Sequence, residues 1–509
     1  MVETLKYLLH PKFLHMTFFG FSAGIPYFLI FSSLSLWLDQ VGVEKSAITY
    51  FSWAALGYSF KFLWSPLVDR LPIPLLTAKM GQRRSWLVLI QLLIITAICW
   101  MGMTDPAQGE AALTRMAFAV TLLGFSAATQ DILIDAWRIE ASNEKDITML
   151  SSVYIVGYRL GMITSGAGAL LVADYFGTSM ESYRYSAWQI AYLSMACCML
   201  VGLLTTFIIK EPKKADTLHY QTRDYAAVLI VFTLAIFTLI LCYQHTDFLF
   251  QSLKTTLQDL FQNKPLAAFI ATSGQLFLAI FAAAFMAMAV AKTPLVNSIM
   301  IKEVYWSPVA DLFKRHRNHL WLLIGIICTY KISDIVMGVT ANLFYQHKGF
   351  DLAEIAGISK TFGLIMTISG GLIGGLMVVR FGIMKIMILG GILSAGTNLL
   401  FMMMAHSEKS LLFLTFVISA DNLAQGLAGA VFIGFLSMLV NRQFTAVQYA
   451  MFSSVMTLFP KIMGGYSGAM VEQMGFASFY LMTTLIGIPV VLMLIYASKR
   501  QIFDFKPPN

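Results

Sequence analysis

The chain has 509 residues, of which 58% are hydrophobic and 12% are charged, and its mean hydropathy is +0.72. A soluble globular protein is about 45–50% apolar and about 25% charged, so the composition excludes a water-soluble fold. The net charge of +8 does not indicate a nucleic-acid partner, because the basic residues fall in short loops between apolar runs. The five cysteines lie inside apolar runs without metal-ligand spacing, so we expect no metal site and no cofactor.

Runs of about 20 apolar residues, the length that crosses a bilayer as a helix, recur along the chain. The first run is too long for a signal-peptide core, so we read it as an uncleaved helix. The pattern predicts an all-α membrane protein with 14 transmembrane helices. The runs centre on residues 14–38, 48–69, 85–103, 114–138, 147–173, 187–209, 225–243, 266–291, 320–345, 353–379, 382–404, 411–440, 446–470 and 477–497.

Lysine and arginine are distributed unequally between the two sides that these runs define. The side that holds the N-terminus collects 23 of the 35 basic residues, whereas the other side collects seven. Because cytoplasmic loops carry the excess of lysine and arginine, we expect both termini to be cytoplasmic.

Two loops, about 310 residues apart, resemble the cytoplasmic signature G-x-x-x-D-R/K-x-G-x-R/K-R/K of the major facilitator superfamily. The first contains SPLVDR at 65–70 and GQRR at 81–84, and the second contains GLMVVRFG at 375–382. The match is imperfect, since Ser65 replaces the first glycine and Val379 replaces the acid. The resemblance implies loops that govern the conformational switch, with the charged residues Asp69, Arg70, Arg83, Arg84 and Arg380.

The repeat predicts a six-helix bundle at 1–210, a central linker at 211–319 and a second bundle with a short tail at 320–509. The runs at 225–243 and 266–291 then form an additional helix pair, which we expect at the periphery because it carries no charge at mid-span. Residues 308–315 resemble a short amphipathic helix whose basic face meets anionic lipid.

Nine charges lie inside the predicted spans, although each costs at least about 2.5–3.5 kcal/mol at mid-bilayer. Such groups face a wet cavity or one another, and midplane sites of this kind hold substrate and coupling ion in secondary transporters. An ion pair that locks two helices is the alternative for each of them, above all for Asp135, Lys360 and Lys461. The nine are Lys61, Asp131, Asp135, Arg159, Lys331, Asp334, Lys360, Asp421 and Lys461.

The spacing of these charges along the chain predicts two contacts between oppositely charged side chains. Lys61 stands roughly 12 Å above Asp69, and Asp131 stands roughly 10 Å above Arg138, so the two can meet at one level. Lys331 and Asp334 are three residues apart and can pair on one helix face.

Excluding ATP and histidine as sources of coupling leaves a carboxylate as the candidate for driving transport with protons. The sequence has no G-x-x-x-x-G-K-S/T motif for ATP, and its eight histidines fall in loops or near helix ends, so we expect proton coupling to depend on a buried carboxylate. Asp131 is the first candidate, and the full set is Asp131, Asp135, Asp334 and Asp421.

Longer stretches resemble the AmpG-type muropeptide permeases in both halves of the chain. In the first half they are GFSAGIP at 20–26, FKFLWSPLVDR at 60–70, QDILIDAW at 130–137 and GYRLGM at 157–162; in the second they are YKISD at 330–334, GFD at 349–351, KTFG at 360–363 and DNL at 421–423. The chain does not resemble these permeases at 225–291. At position 421 the family pattern leads us to expect glutamate, whereas this chain has aspartate.

This resemblance implies proton-driven uptake of N-acetylglucosaminyl-1,6-anhydro-N-acetylmuramyl peptides across the inner membrane of a Gram-negative bacterium. It serves peptidoglycan recycling and, where an inducible β-lactamase exists, its induction and hence antibiotic resistance. The partners are then the muropeptide, protons and the lipid bilayer, with a monomeric chain and no nucleic acid.

The resemblance places Gly24, Ala128, Gln130 and Asp131 on the family's functionally sensitive surface. The chemistry of a sugar peptide agrees with this set. Cationic side chains can bind its carboxylates, side-chain amides can bind its hydroxyl groups, and aromatic side chains can stack on its sugar rings. The predicted substrate-binding residues are Gly24, Tyr27, Lys61, Ala128, Gln130, Tyr158, Arg159, Lys331, Lys360 and Asn422. For the aromatic residues among these, ordinary packing is the alternative.

Two other functions stay open at this stage. An acetyl-coenzyme A transporter on a similar scaffold would also take an anionic solute, and it would need a denser phosphate-binding cluster. A membrane receptor without transport is the second alternative. An enzyme is not indicated, because no HExxH motif and no Ser/His/Asp grouping occurs.

Overall fold

A computed structural model describes residues 10–43, 51, 56–143, 146–178, 182–212, 221–261, 264–294, 296–350, 352–464 and 467–503. The side chains of some helical residues within these ranges, Lys360 among them, lie outside the description. The described elements are almost all helical. Helices are expected in a bilayer because its hydrocarbon core offers no water to the backbone N–H and C=O groups.

The N-terminal helices occupy residues 11–208. They are α1 Pro11–Gln40, α2 Leu56–Phe60, α3 Ser65–Arg70, α4 Leu76–Met80, α5 Gln82–Gly102, α6 Glu110–Ala141, α7 Ile147–Ile163, α8 Ala169–Tyr175 and α9 Tyr185–Ile208. A 3-10 turn, Lys61–Leu63, connects α2 to α3, and a π-helical turn, Thr164–Gly168, makes α7 and α8 continuous.

The linker helices and the C-terminal helices follow in order. The linker holds α10 Thr222–Phe261, α11 Lys264–Ala291, α12 Ser298–Ile301 and α13 Ser307–Arg315. The C-terminal helices are α14 Leu320–Thr329, α15 Ile332–His347, α16 Leu352–Ile355, α17 Gly363–Phe381, α18 Ile383–His406, α19 Leu411–Leu439, α20 Thr445–Gly464 and α21 Ser467–Lys499. Helix α21 is interrupted by a kink at Gly475, whose φ of 76° is not helical. The predicted amphipathic segment at 308–315 lies within α13.

Twelve helices in the described residues are long and apolar enough to cross a membrane. They account for twelve of the fourteen predicted runs. The run at 48–69 is divided among α2, the 3-10 turn and α3, and residues 44–50 and 52–55 lie outside the description. The run at 446–470 corresponds to α20 and the beginning of α21, with Lys461 and Pro460 near the end of α20.

The helix pair α10 and α11 is longer than the apolar runs predicted. α10 continues past residue 243 to Phe261 and has 40 residues, which is roughly 60 Å at about 1.5 Å per residue. Residues 244–261 contain no glycine or proline, so nothing in the backbone ends the helix where the apolar run ends. Crevices of about 310 and 540 Å³ separate the pair from α2, the 3-10 turn and α6.

Glycines bring α1 and α7 into backbone contact. A Cβ atom on Gly24 would lie 2.1 Å from the carbonyl oxygen of Tyr158, and one on Gly157 would lie 1.9 Å from that of Thr17. Gly20 and Gly161 make equivalent contacts. Small residues on both helices thus permit the close approach that stabilises helix pairs in membranes.

Gly157→Ala is expected to destabilise the protein by more than the roughly 1–3 kcal/mol typical of an overpacked core, because the obstructing atom belongs to the backbone of α1. Thermal unfolding of the purified protein measures this effect. Gly338→Ala is the matched control, since a Cβ at Gly338 meets nothing within 4 Å. Equal melting temperatures for the two variants would contradict the predicted α1–α7 contact.

Candidate functional site

Lys61 and two charges of α6 form a buried ion network. The 3-10 turn places Lys61 Nζ 3.8 Å from Asp135 Oδ2, and Asp135 Oδ1 lies 2.9 Å from Arg138 Nη1. The ion pair of Lys61 is therefore one helical turn away from Asp131, its predicted partner. Asp131 and Asp135 are about 6 Å apart along α6, so a long lysine side chain near either level can reach the lower carboxylate.

Asp131 has no ion pair within 4 Å among the residues that the structure describes. Its half-buried carboxylate accepts a hydrogen bond from the hydroxyl of Tyr154 at 3.3 Å. Lys61, Asp135 and Arg138 still act on it electrostatically. Among the described residues, the hydrogen bond of Asp131 therefore comes from a neutral side chain and not from an ion-paired cation. This arrangement allows a carboxylate to gain and lose a proton.

Three tyrosines lie near Asp131, and a fourth, Tyr27, lies beside two of them. The ring centroids of Tyr154 and Tyr158 are 6.0 Å apart, and those of Tyr27 and Tyr158 are 6.5 Å apart. Tyr58 lies near Asp131, Tyr27 and Tyr158, and its enclosed hydroxyl has no hydrogen-bond partner in the described part of the chain. We call Tyr27, Tyr58, Tyr154 and Tyr158 the tyrosine cluster.

Arg159 lies beside this cluster on α7. Its guanidinium Nη1 is 3.8 Å from Met162 Sδ, and Tyr158 and Tyr27 act on it electrostatically. Within the described residues, no carboxylate lies within 4 Å of Arg159. A half-buried guanidinium without an acidic partner is costly in a membrane span, so its position is favourable for an anionic solute.

The residues that the resemblance singled out on α1 and α6 lie in packing contacts. Gly24 meets the backbone of α7, and Ala128 is fully buried with its Cβ 3.8 Å from the position of a Cβ on Gly57. Gln130 is also fully buried, and neither of its amide atoms has a hydrogen-bond partner among the described residues. A direct contact of these three with substrate stays a prediction.

The C-terminal helices carry a second polar group. Lys331 and Asp334 form the predicted pair at 2.8 Å, and this prediction is confirmed. Asp421 on α19 is buried and accepts hydrogen bonds from Thr397 at 3.1 Å and Gln425 at 2.7 Å. It lies near Asp334 and Lys331.

Asn422 and Lys360 are two further predicted substrate-binding residues in this part of the chain. Asn422 is half-buried and accepts a hydrogen bond from Thr367 of α17 at 2.9 Å, so its amide links two helices. Lys360 falls on the π-helical segment Ala356–Phe362, and its side chain lies outside the described residues.

Lys461 is a cation whose position the sequence did not reveal. It is exposed within α20, and its Nζ lies 3.4 Å from Ser59 Oγ of α2. Lys61 acts on it as a like charge, and no carboxylate among the described residues lies within 4 Å. Lys461 therefore does not form the helix-locking ion pair considered as its alternative, and it connects the N-terminal and C-terminal helices at this level.

A charged cluster joins the two groups of helices at one end of the molecule. Arg83 Nη2 donates to Asp69 Oδ1 and Glu140 Oε1, each at 2.6 Å, and to Thr445 Oγ1 at 3.0 Å. Thr445 also donates to Glu140. Arg83, Asp69 and Thr445 are buried, and we call the end of the molecule that they define the joined end.

Further contacts reinforce the joined end. Arg138 Nη2 donates to Ser437 Oγ of α19 at 3.1 Å, and its guanidinium carbon lies 5.1 Å from the ring centroid of Tyr449. Arg442 Nη2 donates to the carbonyl of Ser142 at 2.7 Å. Arg70 lies 5.6 Å from the ring centroid of Phe444 in the same way.

The other predicted loop residues act differently. Arg84 donates to the carbonyls of Thr206 and Phe207, within the N-terminal helices. Arg380 is exposed beside the ring of Phe381 and does not join the Arg83 cluster, as Val379 has no carboxylate to orient it. Only the first loop therefore builds the ion cluster.

Glu211 is a residue of the joined end that the sequence analysis missed. Its carboxylate accepts the backbone N–H groups of Arg83 at 2.7 Å and Arg84 at 3.0 Å, which caps the beginning of α5. Burial raises the pKa of Glu211, and the two backbone hydrogen bonds partly oppose this increase.

Glu140→Gln is expected to weaken the joined end, because removing one partner from a buried ion cluster typically costs about 3–5 kcal/mol. The measurement is maleimide labelling of Ser142→Cys, a position only 2% exposed, in a chain whose five native cysteines are replaced. Labelling should become at least about tenfold faster, since about 1.4 kcal/mol corresponds to a factor of ten.

Arg380→Gln is the control for this experiment, because it removes a charge from an exposed loop residue at the same end. Its labelling rate should match that of the parent chain. Equal acceleration by both substitutions would show that general loop charge, rather than the cluster, holds this end together.

Groups of three or more His, Cys, Asp or Glu side chains that could hold a metal ion do not occur in the described residues. The polar site at mid-span consists of carboxylates, cations and tyrosine hydroxyls. This set of groups can bind an anionic, hydroxyl-rich solute and can carry a proton.

Comparison with known proteins defines the class. The profile of the Major Facilitator Superfamily matches residues 13–460, so the chain belongs to this superfamily of membrane transporters rather than to an enzyme family. The fold is also that of solved members. A proton:xylose symporter, XylE, superposes with a TM-score of 0.60 at 12% identity over 95% of this chain and 94% of its own.

A second solved member, the transporter FucP in its outward conformation, superposes with a TM-score of 0.55 at 10% identity, over 96% of this chain and 98% of its own. Among curated proteins, the anhydromuropeptide permease of Escherichia coli K12 is 26% identical over 509 residues, which is 100% of this chain and 83% of the relative. The putative transporter AmpG 4 of Rickettsia felis is 29% identical over 481 residues, 94% of this chain and 95% of the relative. The resemblance to AmpG-type permeases is thereby confirmed.

Proposed function

We propose that the chain is a proton-coupled importer of N-acetylglucosaminyl-1,6-anhydro-N-acetylmuramyl peptides in the inner membrane of a Gram-negative bacterium. The similarity to the Escherichia coli anhydromuropeptide permease over the whole chain supports this substrate class. The function is recovery of wall fragments, and β-lactamase induction follows only where such an enzyme is present.

The proposed topology has 14 membrane spans and a cytoplasmic joined end, with both termini on that side. Two six-helix domains, 1–210 and 320–509, flank the linker 211–319 with its additional helix pair. The excess of basic residues on the side of the N-terminus supports this orientation. The structure then corresponds to the state in which the cytoplasmic side is held together and the opposite side receives solute.

Arg159 is the observation that carries the proposed substrate class. A guanidinium within a span, without an acidic partner among the described residues and beside the tyrosine cluster, is matched by a ligand that has a carboxylate next to sugar rings. A stem peptide supplies carboxylates, and the anhydro-disaccharide supplies the rings. Lys461 supplies further positive charge from the C-terminal helices, and Lys331, whose charge is balanced by Asp334, supplies a hydrogen-bond donor.

Asp131 is the proposed proton carrier. It differs from Asp135, which is held between Lys61 and Arg138, and from Asp334, which is paired with Lys331. Asp421 is the second candidate because its partners are also neutral. The monomer is the proposed transporting unit, since one chain contains both sets of helices.

Uptake into membrane vesicles tests the proposal. Right-side-out vesicles with an imposed inward proton gradient should accumulate labelled anhydro-disaccharide tripeptide, and a protonophore should abolish the accumulation. Binding without accumulation would identify a receptor. Accumulation of acetyl-coenzyme A in place of the muropeptide would move the chain to the other solute class.

A further inference from the structure

A basic cavity of about 330 Å³ lies at the joined end, outside the membrane-spanning helices. It is lined by the segment 314–319, between α13 and α14, and by Ile502 and Phe503 of the tail. The functional site described above does not include it.

The walls of this cavity are fixed by packing. Phe503 is buried, and its ring centroid lies 5.7 Å from that of Phe435 on α19 and 6.3 Å from that of His316. The tail is thus anchored to the core of the C-terminal helices, and the cavity is a built feature.

The charged side chains in the described lining of the cavity are basic. This lining contains Lys314, Arg315, His316, Arg317 and His319, and no acidic side chain belongs to its described residues. Asp311 lies nearby, where it is paired with Arg315 and acts on His316. Lys314 and Arg317 are exposed, and neither has a carboxylate within 4 Å in the described part of the chain. His316 Nε2 is enclosed and has no hydrogen-bond partner among the described residues.

Arg315 differs from these cations because its guanidinium is already engaged. It donates to Asp311 at 2.8 Å, to the carbonyl of Leu439 at 3.0 Å and to Gln448 at 2.9 Å. It therefore ties the cavity to the connection between α19 and α20, where Thr445 contacts the Arg83 cluster.

Exposed aromatic residues mark the depth of the cavity. Trp306 is 62% exposed, Phe313 is 50% exposed and Trp321 is 83% exposed, and all three lie within about 10 residues of the cavity lining. Tryptophan side chains concentrate at the level of lipid headgroups. Basic pockets at this level on the cytoplasmic side are suited to anionic headgroups.

We propose that this cavity binds the phosphate of an anionic phospholipid of the inner leaflet, with Lys314 and Arg317 as its electrostatic contacts and His316 Nε2 as a hydrogen-bonding group. The proposal depends on the proposed function only for the cytoplasmic position of the joined end. Because Arg315 connects the cavity to α19 and α20, a bound lipid favours the joined state.

Native mass spectrometry of the purified full-length protein tests this site with phosphatidylglycerol, cardiolipin and phosphatidylcholine as probes. The Lys314→Gln/Arg317→Gln variant should lose about tenfold to thirtyfold in apparent affinity for the two anionic lipids, as each cation near the surface contributes about 1 kcal/mol. Affinity for phosphatidylcholine should not change.

The Lys79→Gln/Lys385→Gln variant is the matched control, because both lysines are exposed at the same end and lie outside the cavity. An equal loss in both variants would overturn the site in favour of diffuse surface charge. Displacement of bound lipid by millimolar inorganic phosphate would overturn the lipid assignment in favour of a soluble anion. Neither outcome depends on which solute is transported, so a failed muropeptide uptake assay leaves this test intact.

Discussion

Asp131→Asn is expected to abolish gradient-driven accumulation while leaving exchange of substrate across the membrane intact. One proton moving across about 150 mV, at about 2.3 kcal/mol per charge per 100 mV, supports accumulation of a few hundred-fold. The variant cannot release or take up this proton, so its steady-state concentration ratio should fall to about one. Uptake and counterflow measured in the same proteoliposomes separate the two effects.

Asp135→Asn is the informative comparison, since it has the same chemistry one helical turn away. Asp135 is paired with Lys61 and Arg138, so its substitution leaves two buried cations without their partner and should impair stability and exchange together. If Asp131→Asn retains full accumulation and Asp421→Asn loses it, the proton carrier lies on the C-terminal helices.

Arg159→Gln is expected to weaken binding of the anhydro-disaccharide tripeptide by roughly 10-fold to 100-fold, and binding of the anhydro-disaccharide whose lactyl carboxyl group is amidated by less than about twofold. A hydrogen bond to a charged group contributes about 1.5–3 kcal/mol, and only the tripeptide has stem carboxylates. Competition against a labelled substrate measures both affinities.

Two controls sharpen the result for Arg159. Arg159→Lys keeps the charge but loses the planar pair of donors, so its loss for the tripeptide should be intermediate. A tripeptide with amidated carboxyl groups should bind the parent chain and Arg159→Gln equally. Equal losses for tripeptide and disaccharide would instead assign Arg159 to the stability of α7.

The sequence predicted features that a single helix determines by itself. The pairing of Lys331 with Asp334 follows from a separation of three residues, and the structure confirms it. Most span positions follow from uninterrupted apolar length. The end of α10 could not be predicted from apolar length. The apolar run stops at residue 243, whereas the helix, which meets no glycine or proline there, continues to Phe261.

Contacts between helices distant in the chain could not be predicted in this way. The partners of Arg138 and Lys461 across the molecule are Ser437 and Ser59, 299 and 402 residues away. A serine in an apolar run gives no signal of such a role. The sequence placed Lys61 at nearly the right level, but its ion pair is with Asp135, one helical turn along α6 from the predicted partner Asp131.

The glycine contacts between α1 and α7 also determine how the solute site can move. Tyr27 follows Gly24 by three residues, while Tyr158 and Arg159 lie between Gly157 and Gly161, so the two backbones in contact carry all three side chains. In the proposed transport cycle, we expect this pair to move as a single rigid body. Under the proposed function, Arg159 and its aromatic neighbours form a preformed half of the recognition surface, and we expect the solute to complete it by drawing the lysines of the C-terminal helices toward a template that does not change shape.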